Sequence, residues 1–197
     1  MSFSYERLGD FAGIRGKLSE AEEWYRKSLA IRESLAEETH TVESRSDLSV
    51  SYERLGDFAR ICGKLSKAEE WYRKSLAIRE SLAEETNTVE LLSGLSVSYE
   101  RLGDIAQANG KLSEAEEWYC KSLAIAESIA EETSSINAYD FLAFSYYRIG
   151  IILRNRSYLE QALNIYKQLA EQFPNIPTFR EGADIMKKTV VELFGKK

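Results

Sequence analysis

An internal repeat constrains this chain more than any other feature. Ser4, Ser51, Ser98 and Ser145 each open a matching segment, with a period of 47 residues. The units 4–50 and 51–97 differ at seven positions only: 13/60, 15/62, 20/67, 40/87, 44/91, 45/92 and 47/94. The third unit diverges slightly more, and the fourth, SYYRIGIILRNRSYLEQALNIYKQLAEQFPN, keeps the pattern with few identities. Self-similarity at a fixed period implies one supersecondary unit stacked several times, each burying an apolar face against its neighbour.

Each unit reads as two helices. Leu48, Tyr52, Leu55 and Ala59 recur at spacings of four, three and four, which places them on one helical face. Gly63 then supplies a left-handed helix terminus. In the following LSKAEEW, Ser66 and Glu69 have the spacing of a capping box, repeated as Ser19/Glu22 and Ser113/Glu116. Ala68, Trp71, Tyr72, Ser75, Leu76 and Ala83 make the buried stripe of the second helix, which is expected to run to about Glu85, with the next starting near Thr88. Two prolines and eleven glycines in 197 residues leave few breaks, and no strand pattern competes.

The segment LGDFARICGKLSKAEEWYRKSL (55–76) resembles the tetratricopeptide repeat, with Leu55, Gly56, Ala59, Gly63, Ala68, Tyr72, Ser75 and Leu76 in the motif places. The other units supply Leu8, Gly9, Gly16, Ala21, Tyr25 and Leu29; Leu102, Gly103, Gly110, Ala115, Tyr119 and Leu123; and Ile149, Gly150, Ala162, Tyr166 and Pro174. The resemblance implies an all-α fold, a right-handed α-α superhelix of four helix-turn-helix repeats. The expected units are 1–47, 48–94, 95–141 and 142–175, followed by a capping helix in 176–197 with a stripe of Phe179, Ala183, Met186, Val190 and Phe194. The usual repeat has 34 residues, so the longer period is expected to lengthen both helices and deepen any groove. Met1 stands where Leu48 and Leu95 stand, so the first helix lacks the counterpart of 41–47. That absence is expected to leave an apolar edge near Leu35 and Val42, suited to another chain or to the interior of a longer array.

Chemistry finds little support. His40 is the sole histidine, and Asn87 replaces it in the next copy, as suits a helix cap. Cys62 and Cys120 alternate with Arg, Asn or Lys in other units and have no metal-ligand spacing, which points to free thiols in a reducing cytoplasm. Gly9, Gly56, Gly103 and Gly150 read as sites of close helix approach, and Trp24, Trp71 and Trp118 as packing residues. A net charge of −6 excludes a general nucleic-acid binder and gives no attraction to anionic membranes. No enzyme, metal or cofactor is expected.

The family resemblance implies that the first helix of each unit forms a concave peptide-binding wall. Carried over, the groove residues are Phe3, Glu6, Arg7, Asp10, Val50, Glu53, Arg54, Asp57, Arg60, Val97, Glu100, Arg101, Asp104 and Gln107, continued by Phe144, Tyr147, Arg148, Ile151 and Arg154. Family members that clamp chaperone tails use Lys and Asn where Glu53 and Asp57 stand, so that activity is not carried over. Like charges four residues apart, as in Glu53/Asp57, cost a helix about 0.2–0.5 kcal/mol and need an offset. Arg7, Arg54 and Arg101 on neighbouring helices would supply it; otherwise the acids await a basic segment. The expected function is a protein-interaction scaffold for a basic or amphipathic peptide or partner helix. The alternatives are a self-associating structural repeat protein and a sensor fragment of a larger signalling regulator.

Overall fold

A computed structural model describes residues 2–195, and the expectations placed on Met1 and on the Phe3 side chain lie outside that description. The described residues form nine α-helices and no strand: α1 (Ser2–Ile14), α2 (Leu18–Thr39), α3 (Val42–Ile61), α4 (Leu65–Glu85), α5 (Val89–Ala108), α6 (Leu112–Thr133), α7 (Ile136–Ile152), α8 (Arg156–Gln172) and α9 (Pro177–Phe194). The long period lengthens the helices themselves, since α2 to α6 run 20 to 22 residues each. The chain divides into two compact units, one up to Ala115 and one from Glu116, with the division inside α6.

In the first unit, consecutive helices pack together: α1 on α2, α2 on α3, α3 on α4 and α4 on α5. Ala12, Ala21, Tyr25, Leu29, Leu55 and Phe58 form one apolar cluster, with Trp24, Leu48, Tyr52, Cys62 and Trp71 against it. Gly9 and Gly56 are where hairpin helices come closest. A Cβ on Gly9 would sit 2.8 Å from the Tyr25 ring, and one on Gly56 would overlap the Tyr72 ring.

Two kinds of corner alternate. After α1 and α3 the chain turns through a left-handed glycine, Gly16 (φ 72°) or Gly63 (φ 71°). Gly63 N donates to Arg60 O at 2.9 Å and Lys64 N to Ala59 O at 2.9 Å, the paired bonds of a Schellman motif. The corners into α3 and α5 are closed from the other side by threonine caps: Thr41 Oγ1 accepts from Ser44 N at 3.1 Å and Thr88 Oγ1 from Leu91 N at 3.4 Å. His40 is a cap, as expected, but on the C-terminus of α2, in the left-handed region.

The capping boxes do not form. Lys17 and Lys64 occupy the N-cap positions of α2 and α4 without a side-chain bond, and Ser19, Ser66 and Ser113 are already the second helical residues. The lysine that ends the Schellman turn also accepts the first bond of the next helix, from Ala21 N at 2.9 Å or Ala68 N at 3.0 Å. No residue is left between the two helices for a serine cap. Glu22 and Glu69 bond instead to Arg26 and Arg73, one turn on, at 2.9 and 2.8 Å.

In the second unit α7 packs on α8 and α8 on α9. Phe179, Met186 and Val190 of α9 are buried, while Ala183 and Phe194 of the expected stripe are half-buried. Phe179 meets the rings of Tyr166 and Phe173 at centroid distances of 6.5 and 6.4 Å. The corner between α7 and α8 has no glycine: Arg154 takes the left-handed conformation (φ 47°), and Asn155 N donates to Gly150 O at 2.9 Å.

Candidate functional site

Glu6 and Glu53, the first acid of the expected groove in each of the first two repeats, each meet a buried arginine from the second helix of their own repeat. Arg32 Nη1 donates to Glu6 Oε1 at 2.6 Å, to Ser51 Oγ at 2.9 Å and to the Asp47 carbonyl at 3.1 Å. Arg79 repeats the arrangement: Nη2 to Glu53 Oε2 at 2.6 Å, Nη1 to Ser98 Oγ at 3.0 Å and to the Gly94 carbonyl at 2.8 Å, and Nε to Ser49 Oγ at 3.1 Å. Each guanidinium therefore joins three helices, its own and the first helices of its repeat and the next. Removing two ions from water is expensive unless their other bonding positions are filled. The serines and carbonyls fill those of Arg79 and part of those of Arg32.

The second row of acids is tied to tyrosine. Tyr25 Oη donates to Asp10 Oδ1 and Tyr72 Oη to Asp57 Oδ1, both at 2.7 Å. Burial, then the hydrogen-bonded carboxylate, pushes both phenols well above their ordinary range. Arg101 lies 3.4 Å from Asp57 Oδ2 and 3.6 Å from Glu53 Oε1. Burial alone would lower its pKa, but Asp57 and Glu53 outweigh that and raise it.

Of the three arginines expected to neutralise the acids, Arg101 does so. Arg7 and Arg54 are exposed and form no ion pair among the described residues. The larger share falls to Arg32 and Arg79, which sequence reasoning passed over. Their signal was present: Arg79 stands seven residues after Tyr72 and four after Ser75, on the buried stripe.

The rest of the expected groove divides between the units. In the first, Asp10, Arg54, Asp57 and Arg60 line one cleft of about 650 Å³ together with Gly13, Ile14, Tyr25, Phe58 and Ile61. Ile14 is 86% exposed and Ile61 73%. Neither was singled out beforehand, because each lies two residues past the last stripe residue of its helix. Glu100 and Asp104 are half-buried on α5, and Gln107 is exposed near its end. In the second unit Phe144, Ile151 and Arg154 are exposed and Tyr147 is half-buried, with its hydroxyl 3.4 Å from Thr189 Oγ1. The Arg148 guanidinium lies 5.7 Å from the Tyr119 ring centre and 6.0 Å from that of Phe144.

Trp24 and Trp71 are half-buried, stacked on Tyr5 and Tyr52 at 5.5 and 5.7 Å, with the Lys27 and Lys74 ammonium groups 4.3 and 4.5 Å from their ring centres. Cys62 and Cys120 are free and half-buried, and burial, with Glu116, raises the Cys120 thiol above its ordinary value. Among the described residues no cluster of three His, Cys, Asp or Glu could hold a metal ion, and no helix is long and apolar enough to cross a membrane.

Paired antiparallel helices stacked in chain order define a helical-repeat protein, a class built to present surface rather than to enclose a reaction. The chain belongs to the tetratricopeptide-repeat family: models of that repeat match residues 1–81 and 97–129, together more than half of it. No curated protein matches the sequence. Among solved structures it is similar to BtubC (BKLC) from P. vanneervenii, at 20% identity and a TM-score of 0.62 over 94% of this chain and 76% of that one. It is also similar to a point variant of a Podosopora anserina kinesin-light-chain protein with nearly identical TPR-like repeats, at 21% identity and a TM-score of 0.55 over 96% and 92%. Both likenesses are of fold. Proteins of this fold generally mediate protein–protein interaction without catalysis.

Proposed function

We propose that this chain is a non-enzymatic scaffold whose first unit seats an amphipathic segment of a partner protein in the cleft between Ile14 and Ile61. The observation that carries the reading is that pair of highly exposed isoleucines on the rim of a cleft backed by the Tyr25 and Phe58 rings. Exposed apolar side chains grouped around a concavity are a common mark of an interaction surface. The charge of the partner follows from what is already engaged. Glu6 and Glu53 are held by Arg32 and Arg79, and Asp10 and Asp57 accept tyrosine hydroxyls, whereas Arg54 is exposed and forms no ion pair among the described residues. An apolar residue flanked by a carboxylate suits that arrangement better than the basic segment that the sequence first suggested. The two free thiols fit a reducing compartment such as the cytoplasm.

Selection from a random peptide library on the full chain tests this. Recovered peptides should combine apolar and acidic residues and lose at least tenfold in affinity on an Ile14→Glu/Ile61→Glu variant. Arg54→Ala should weaken them about two- to tenfold, and less at high salt. Equal binding to the double variant would overturn the proposal.

A further inference from the structure

The outward face of α1 repeats, residue for residue, a face that is fully engaged one repeat later. On α3, Leu55 is 2% exposed and Phe58 7%, seated against α2 with the Phe58 and Tyr25 rings 5.6 Å apart. Two polar contacts flank that seam. Tyr52 Oη donates to Glu33 Oε1 at 2.9 Å, and Lys64 Nζ lies 3.7 Å from Glu22 Oε2. The tyrosine contact recurs from α5 to α4, where Tyr99 Oη donates to Glu80 Oε1 at 3.0 Å.

The same side chains stand exposed or half-buried on the first repeat, where the Arg15 guanidinium lies 4.7 Å from the centre of the Phe11 ring. Leu8 is 42% exposed and Phe11 55%, where Leu55 and Phe58 are the counterparts. Tyr5, the counterpart of Tyr52, stacks on Trp24 but makes no hydrogen bond among the described residues. Among the described residues Lys17, the counterpart of Lys64, pairs with exposed Glu20, three residues away.

We infer that this face is a docking site for one kind of occupant: a helix carrying Glu-x2-Tyr-x3-Leu-x3-Glu, supplied by another repeat of this class. The spacing is that of Glu22, Tyr25, Leu29 and Glu33 on α2, and again of Glu69, Tyr72, Leu76 and Glu80 on α4. Such a helix offers its tyrosine and leucine to Leu8 and Phe11. Its first glutamate meets the Lys17 ammonium, and its second accepts from the Tyr5 hydroxyl. The site lies on a different face from the proposed Ile14/Ile61 cleft and stands or falls separately.

The test uses the full chain and a synthetic peptide of the Leu18–Thr39 sequence. A lactam between Glu23 and Lys27, an exposed pair one turn apart, holds the peptide helical, which circular dichroism checks before titration. Calorimetry should show saturable one-to-one binding, reduced at least tenfold by Phe11→Glu in a chain whose melting is unchanged. Tyr5→Phe and Lys17→Ala should each weaken it about two- to tenfold. A Glu22→Lys peptide should bind poorly to the native chain and recover on Lys17→Glu. Three results overturn the inference: no binding by a helical peptide, equal binding to Phe11→Glu, or a dimer of the chain alone that Phe11→Glu abolishes. The last would make a second copy the occupant.

Discussion

Tyr72 and Tyr166 stand two periods apart, and they do different things. In the second hairpin Tyr72 lies over Gly56 of the same hairpin, and its hydroxyl reaches Asp57. In the fourth, Tyr166 lies against Gly182 of α9 and reaches Asp140 at 2.8 Å, while Leu159 takes the place over Gly150, with its Cγ 2.7 Å from where a Cβ would stand. The ring stacked on the hairpin's first helix changes likewise, from Trp71 on Tyr52 to Tyr158 on Tyr146. The difference originates at the corner. The counterpart of Gly63 is Ser157, which lies inside α8, and the chain reverses three residues earlier, at Arg154. In an antiparallel pair a corner moved by one helical turn displaces the facing partners by about two turns. Tyr166 thereby arrives where Arg79 sits in the second hairpin, and each bonds a carboxylate 26 residues behind it. Repeats that look alike in sequence can pair differently when one corner residue changes.

The largest test of this comparison is to break the buried ion pair of the early hairpins. Arg79→Ala leaves Glu53 with a partly exposed Arg101 as its remaining cation and should cost about 3–5 kcal/mol in denaturant unfolding. A double replacement, Arg79→Met with Glu53→Leu, should recover most of that loss. If Arg79→Ala costs no more than an exposed pair, the clamp does not distinguish the two regions.

Next in size is the close approach at glycine. Gly56→Ala should destabilise by about 1–3 kcal/mol through overlap with the Tyr72 ring, and Tyr72→Leu should relieve part of it. For Gly150→Ala the relief should come from Leu159→Ala and not from Tyr166→Leu. Double-mutant cycles read this directly, and relief by Tyr166→Leu would show that the fourth hairpin keeps the early register.

Smaller still, Arg154→Gly should raise stability by about 1 kcal/mol, because a non-glycine residue in the left-handed region is strained. Gly63→Ala should lower it by a comparable amount. Equal melting temperatures for Arg154→Gly and the parent would count against the early corner.

The smallest effect is a slope with pH. Burial first, then hydrogen bonds to Glu33 and Glu80, push the Tyr52 and Tyr99 phenols up to about 12, against an unfolded value near 10. The folded chain thus holds its phenolic protons after the unfolded chain has lost them. Their stabilisation is complete below pH 10 and declines as pH rises from about 10 to 12. Tyr52→Phe should flatten that decline in unfolding titrations. An unchanged slope would mean that the Tyr52–Glu33 bond does not persist in solution.

Much of this architecture was legible in the residues. The spacing of Leu55 and Ala59, the glycine at 63 and the tyrosine at 72 locate two helices and their corner without any tertiary information. The purpose of Gly9 and Gly56 could be read because glycine inside a helix is costly unless something must come close. The capping boxes were legible and wrong, because the Schellman lysine closes one helix and opens the next. Arg32 and Arg79 were missed because a charged residue is assigned to the surface unless its helical position is weighed against its chemistry.

The sequence by itself determined the all-α class, the repeat, the helix lengths and the family, because these follow from periodicity and from local bonding at corners. The tertiary structure decided which acids are already engaged, where Ile14 and Ile61 stand, and which face of α1 is exposed. It also decided that Tyr166 pairs with Asp140 rather than with the end of α7. Those facts depend on which side chains meet across helices. One helical turn of displacement at Arg154 changes those meetings while leaving every local pattern intact.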